Sequence, residues 1–237
     1  MEENKKFTDI CYKGKIVEKF EELKKNDFFR RDFSSKRELY STGNLSDIFS
    51  CERKVVLRRT SSQHSPSMLN ESSFYYEQKH NEYVKEKWFS IFKESPKTKL
   101  IDKNVLVVDK NINLHGYLDC AIKIGEVIIA TNIYPLNDID FSIIHNNNMA
   151  RRKDIIYTLL CMCFSETNRG LIIYENNKDQ TNELFEIKPD EVLLKAAFKE
   201  VDKLNKLVKN KIIPPKPYKK QSKECDSCFF VKKCWGK

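Results

Sequence analysis

No run of apolar residues in this chain approaches the ~20 that a bilayer-crossing helix needs, which excludes a helical membrane span. The opening stretch, Met1-Glu2-Glu3-Asn4-Lys5-Lys6, lacks the apolar core of a signal peptide. Both absences point to an intracellular, reducing, cytoplasmic protein with no membrane partner. Apolar residues make up only 40% of the chain, low for a globular protein yet enough for a core. No internal repeat is visible. Acidic residues are also outnumbered: 34 Asp and Glu face 43 Lys and Arg, a net charge of +9. A basic balance favours a polyanionic partner, because Lys and Arg gain affinity by releasing phosphate counterions. The same Lys, Asn and Ile usage is what an AT-rich genome, such as that of a phage or virus, imposes on an ordinary soluble protein.

Against these shortages, eight cysteines are plentiful, and in a reducing compartment they argue for metal ligands or core residues before disulfides. The tail reads Cys225-Asp-Ser-Cys228-Phe-Phe-Val-Lys-Lys-Cys234-Trp235, a C-x2-C-x5-C pattern. A zinc or iron–sulphur centre needs four ligands, and the tail supplies three. The best fourth is Cys51, in Ser50-Cys51-Glu52-Arg53-Lys54. Zinc ribbons pair one C-x2-C with a second knuckle, and none exists here. The spacing therefore favours a cubane 4Fe-4S cluster that closes a domain. Cys120, Cys161 and Cys163 fall in strand and helix interiors and read as core; Cys11 stays unassigned.

Residues 1–45 form a polar, basic extension. Ile16, Val17, Phe20 and Leu23 recur at helical spacing, and Arg30, Arg31, Lys36 and Arg37 alternate with Phe28, Phe29, Phe33 and Tyr40. Basic residues interleaved with aromatics suit a nucleic-acid strand, and equally a solvated surface with anchoring aromatics. Asn44 or Ser46 caps a helix expected to carry Ile48 and Phe49 inward and to reach Cys51. Residues 60–70 read as a loop, and a longer helix follows from Glu71 to Phe92, with His80 and Val84 on one face and Tyr83 and Trp88 on another. Strands are expected at Asn104–Asp109, Leu114–Ile122 and Glu126–Ile133, the last two joined at Gly125, with a loop from Pro135 to Asn148. Arg151–Phe164 reads as a buried helix, Gly170–Tyr174 and Leu184–Ile187 as strands, and Pro189–Lys209 as a long helix before the prolines that precede the tail. This order predicts a mixed α/β (α+β) core, a mixed sheet flanked by helices, over residues 46–237, with 210–237 as the cysteine segment.

Taken singly, the remaining polar residues say little. Asp119 in Gly116-Tyr-Leu-Asp119 is either a buried carboxylate that requires a partner or a strand-end residue facing solvent. His80 reads as a packed or surface histidine, Tyr157 as core, and Arg151, Arg152, Lys153 and Lys178 as surface.

Taken together, they resemble the RecB-like branch of the PD-(D/E)XK nucleases, most closely the CRISPR-associated iron–sulphur exonucleases and their phage relatives. The resemblance runs from about Leu45 to Trp235. Cys51-x-Arg53 matches the family's first cysteine, His80 its metal-binding histidine, and Gly116-x-x-Asp119 its G-x-x-D strand. Tyr157 matches the end of Q-x-x-x-Y, with Lys153 at the glutamine position, and the tail matches C-x2-C-x5-C followed by Trp. The resemblance implies a restriction-endonuclease-like fold and a 4Fe-4S cluster on Cys51, Cys225, Cys228 and Cys234. It further implies Mg or Mn at His80 and Asp119, catalytic duty for His80, Asp119, Tyr157 and Lys153, and DNA, single-stranded or at ends, along Arg53, Arg151, Arg152 and Lys178. A DNA-processing protein partner fits as well.

The departure lies in the next strand. Where the family carries E-x-K, this chain reads Ala130-Thr131-Asn132, and a slip of one residue gives Thr131 and Ile133. Neither register offers a carboxylate or an ammonium. Metal-assisted phosphodiester hydrolysis needs both, so the expectation is a DNA-binding pseudoenzyme with impaired catalysis. The alternatives are an active exonuclease with relocated groups, supplied by Glu126 or Lys153, and a non-catalytic interaction subunit stapled by its cluster.

Overall fold

The structure, a computed structural model, describes residues 43–60, 71–109 and 112–217, and in the tail 222, 225, 228 and 230–236, with side chains from residue 79 onward in the helix that begins at Glu71. Nearly all of the basic N-terminal extension, including Cys11, and most of the 60–70 loop lie outside these residues.

Strand β1 (Gly43–Asn44) leads into a 3-10 turn (Leu45–Phe49), then α1 (Glu52–Thr60) and α2 (Glu71–Glu94). The sheet continues with β2 (Lys99–Asp109), β3 (Leu114–Ile124) and β4 (Val127–Leu136), followed by α3 (Asp138–Asn147) and α4 (Arg152–Phe164). Then come β5 (Gly170–Asn176), β6 (Asn182–Ile187), α5 (Glu191–Lys209) and a short α6 (Val231–Trp235). β3 is the hub. β2 runs antiparallel along its whole length on one edge, while β1 (parallel) and β4 (antiparallel) share the other. β5 lies parallel to β4, and β6 closes the order antiparallel to β5.

Helices cover both faces, so inner strands bury successive residues rather than alternate ones, as Ile172, Ile173 and Tyr174 of β5 do. On one face Val84, Trp88, Phe89 and Phe92 of α2 pack on Cys120, Ile122, Ile133 and Ile173. On the other, Leu159, Leu160 and Met162 of α4 and Leu194, Ala197 and Val201 of α5 pack on Val105, Leu118, Ala130 and Ile172. In α5 the buried residues Leu194, Ala197, Val201 and Leu204 recur at helical spacing, and Asp190 caps its start by accepting from Leu193 N at 3.0 Å. The mixed α/β architecture is thus as the sequence predicts, and Cys120, Cys161 and Cys163 are buried core residues.

Three local expectations differ. The stretch read as a loop from Pro135 to Asn148 contains α3, capped by Asn137, whose side chain accepts from Asp140 N at 2.9 Å. The polar Asn and Asp content that suggested a loop is the cap and the first turn. The single helix expected from Asn44 to Cys51 is a 3-10 turn, capped by Asn44 through a capping box with Asp47; it stops at Phe49, which is exposed, and Cys51 immediately precedes α1. On α2, Trp88 is buried, whereas Tyr83 points outward at 65% exposure.

Candidate functional site

β3 loses its strand partner on one edge between its pairing with β1 at Leu114 and His115 and its pairing with β4 from Cys120 onward. The backbone groups in that gap are satisfied by side chains. Tyr157, on α4, donates its hydroxyl to Tyr117 O at 2.9 Å and accepts from Tyr117 N at 3.0 Å. Asp119 accepts from Ile133 N at 2.7 Å through Oδ2, bridging to β4 where the two strands part. The strand also turns over here. Leu118 and Cys120, which strict alternation would put on one face, lie in the opposite cores, and in β2 Asn104, between the residues paired with Leu118 and Cys120, takes a left-handed φ of 54°. Gly116 is required by packing, since a Cβ there would lie 2.4 Å from Leu45 Cδ1.

The second oxygen of Asp119 faces a cation that the sequence reading does not include. Lys85 of α2 places Nζ 2.6 Å from Oδ1, with the lysine side chain 31% exposed and that of Asp119 13%. Burial pushes the Asp119 carboxyl above its ordinary range, and the Lys85 ammonium and the Ile133 N–H pull it back. Asp119 and Tyr157, singled out from sequence, are therefore brought together at one gap in the sheet. Burial raises the Tyr157 hydroxyl well above its usual value, which leaves it protonated as a donor.

The positions aligned with E-x-K are built into the core. Ala130 is fully buried in the α4-side cluster, and Asn132, 2% exposed, donates through Nδ2 to Thr158 Oγ1 of α4 at 2.9 Å. In the slipped register, Thr131 is fully buried and Ile133 packs in the α2-side cluster. Glu126 sits at the β3–β4 turn, exposed and paired with Lys123 at 2.8 Å. Lys153 is exposed one turn before Tyr157, and its neighbour Arg152 is exposed beside it.

The other candidates divide. His80 is half-buried on α2, and its Nε2 is buried with no hydrogen-bond partner among the described residues. Arg151 caps α4 and is committed inward: Nε donates to Asp154 Oδ2 at 2.5 Å, and the guanidinium lies over the rings of Tyr134 and Tyr174. Lys178 pairs with Asp138 at 3.0 Å at the start of α3. A buried carboxylate on another strand escaped the sequence reading. Glu175 of β5, 2% exposed, takes Lys87 Nζ at 2.6 Å and Trp88 Nε1 at 2.7 Å, both from α2. Lys85 and Lys87 look like solvated helix charges in sequence; a reading that paired each buried strand carboxylate with a lysine on the covering helix would have found them.

Among the described residues, no group of three or more His, Cys, Asp or Glu side chains is placed to hold a metal ion as it stands. The Asp119 site does not fit a hard divalent cation. Mg and Mn require several oxygen ligands, whereas among the described residues this site offers one carboxylate, already faced by an ammonium.

The cysteines are arranged differently. Cys51, Cys225, Cys228 and Cys234 line one cavity between the start of α1 and the tail, together with Arg53, Lys216, Phe230 and Trp235. Arg53 Nε donates to Cys234 Sγ at 3.1 Å and its second nitrogen to Pro214 O at 2.7 Å, so one guanidinium holds both the proline segment and the last thiol. Lys216 lies over the Trp235 ring at 4.4 Å, and Trp235 Nε1 is buried with no hydrogen-bond partner among the described residues. In kind, this lining fits a thiolate-held group: four sulphurs, a charged donor on one of them, and a free indole N–H.

A mixed sheet flanked by helices, opened on one edge beside Asp119, fits a restriction-endonuclease-like fold. Among solved structures, the chain is similar to an alkaline exonuclease from Laribacter hongkongensis, with TM-score 0.51 at 10% identity over 73% of this chain and 90% of that one. The same exonuclease in complex with dAMP gives 0.54 at 11% identity, with the same coverage. A protein named SSO0001 gives 0.51 at 14% identity over 83% of this chain and 87% of that one. No protein-family model matches the sequence, and no curated protein matches it.

Proposed function

We propose that this chain is an iron–sulphur, DNA-binding protein built on an exonuclease fold whose hydrolytic site is out of use. The observation that carries the reading is the fate of the E-x-K positions. Ala130 and Asn132 are sealed into the α4-side core, and the slipped register offers only Thr131 and Ile133. A nuclease of this class needs acidic ligands to hold the metal and a lysine to position or activate water, and this strand supplies neither.

Nucleic acid as the partner is supported by the net charge of +9 and by the likeness to one exonuclease, whose second structure is a complex with dAMP. Arg152 and Lys153, exposed and without a partner among the described residues, are the cations near the Asp119 gap best placed to meet phosphate; Arg151 and Lys178 are already paired within the fold. Cys51, Cys225, Cys228 and Cys234 would hold the 4Fe-4S cluster, with Arg53 donating to the sulphur of Cys234. When bound, the cluster supplies a cross-link between α1 and the tail and a one-electron centre.

The test uses anaerobically purified full-length protein. Iron and sulphide analysis should find a cluster, and fluorescence anisotropy should show single-stranded or end-bearing DNA bound at low salt, weakening steeply as salt rises. Arg152→Glu with Lys153→Glu should weaken that binding. No cleavage should appear with Mn2+. Robust cleavage that disappears in Asp119→Ala would establish instead an active exonuclease with relocated groups, Lys85 being the candidate lysine. Absence of DNA binding at low salt would favour an interaction subunit, and a colourless protein holding one zinc would remove the cluster.

A further inference from the structure

The Asp119 carboxylate and the cation beside it disagree with the metal site that the fold leads one to expect. Oδ2 is spent on the Ile133 N–H at 2.7 Å, and Oδ1 faces the Lys85 ammonium at 2.6 Å. We infer that Lys85 is a built-in cation that occupies the divalent-metal position of Asp119 and keeps the site closed to Mg and Mn.

The argument is one of charge and place. A carboxylate buried this far requires a positive partner, and the fold can provide it in two ways: a bound divalent ion or a lysine. Mg would sit about 2.0–2.1 Å from a carboxylate oxygen. An ammonium at 2.6 Å from the same oxygen lies across that position and repels a second cation. Lys85 is also anchored for the task. It rides on α2, fixed to the sheet by Val84 and Trp88 within the apolar layer, and Trp88 is further tied to Glu175. The side chain keeps 31% exposure, so it reaches the carboxylate from the solvent side, the side from which an ion would enter. Loss of the strand carboxylate and lysine therefore leaves no unpaired Asp119, because α2 neutralises it. The inference rests on reading Asp119 as the remnant of a metal ligand, and it adds that this remnant is plugged rather than merely incomplete.

The experiment is a Mn2+ titration of the full chain followed by electron paramagnetic resonance of free Mn2+ at about pH 7.5. Wild type and Lys85→Arg, which keeps the charge, should take up no Mn2+ through Asp119. Lys85→Met, which keeps the aliphatic stem, and Lys85→Gln should bind Mn2+ about tenfold or more tighter than wild type, since apparent affinity rises with the fraction of carboxylate left open. Adding Asp119→Asn to either open variant should abolish the gain. A purely structural ion pair would lower stability in Lys85→Met and leave Mn2+ binding unmoved, and that result overturns the inference. So does wild type that binds Mn2+ in an Asp119-dependent way. Wild type that binds Mn2+ without cutting DNA sinks the plug and spares the proposed function, whereas wild type that cuts DNA sinks the proposed function itself.

Discussion

Asp119 shows how one residue's meaning depends on what faces it. Its carboxyl is raised above the usual carboxylate range by burial and held partly in check by Lys85 and the Ile133 N–H. A carboxyl raised in the folded state binds its proton more readily there than in the unfolded chain. Its contribution to stability is therefore present at acid pH and is lost as pH climbs through the folded-state value. Removing the ammonium raises the carboxyl further. Urea unfolding should thus find Lys85→Met close to wild type near about pH 4, with a deficit that widens toward about pH 8, and Asp119→Asn in that background should flatten the slope. A deficit equal at both pH values would mean that Lys85 contributes packing rather than charge.

At the scale of elements, the decisive feature is the stretch of β3 that loses its strand partner on one edge, between β1 and β4. α4 and the 3-10 turn occupy that stretch from opposite sides of the chain order. α4 supplies the Tyr157 hydroxyl that satisfies both backbone groups of Tyr117, and the 3-10 turn lays Leu45 against Gly116. Gly116 in the G-x-x-D motif is thereby explained by close packing. Leu45 is fully buried and has no room to retreat from an added methyl group. Gly116→Ala should cost about 1–3 kcal/mol by overpacking, read as a lower urea midpoint with an unchanged slope. A cost near zero would show that the turn moves aside freely.

For the whole molecule, the cysteine cavity joins the two ends of the described chain. α1 and the tail meet through Cys51, Arg53, Pro214 and Cys234, while Lys203 of α5 pairs with Glu52 at the start of α1. A group bound by all four thiols closes a loop that contains β2 to β6, so its binding energy becomes folding energy. Cys51→Ala should bleach the anaerobic protein, lower its thermal midpoint and make the C-terminal segment the first site of limited proteolysis. A Cys51→Ala protein that stays brown and melts like wild type would remove Cys51 from the ligand set.

The sequence by itself determined the mixed α/β order, the buried cysteines of the strand and helix interiors, and the C-x2-C-x5-C tail. These are properties of composition, spacing and periodicity, which are written locally along the chain. It also marked Asp119 and Tyr157, but not what they do to each other's strand. Only the tertiary structure decided that Lys85 answers Asp119, that Lys87 and Trp88 answer Glu175, that Arg151 turns inward to Asp154, and that Lys178 pairs with Asp138 at the surface. α3 and the break after Phe49 likewise emerged only in three dimensions, where caps at Asn137 and Asn44 turn polar residues into helix starts. The physical reason is common to all of them. The charge on a side chain is fixed by its identity, but its partner is chosen by the packing of elements far apart in sequence, and burial sets how strongly each needs the other.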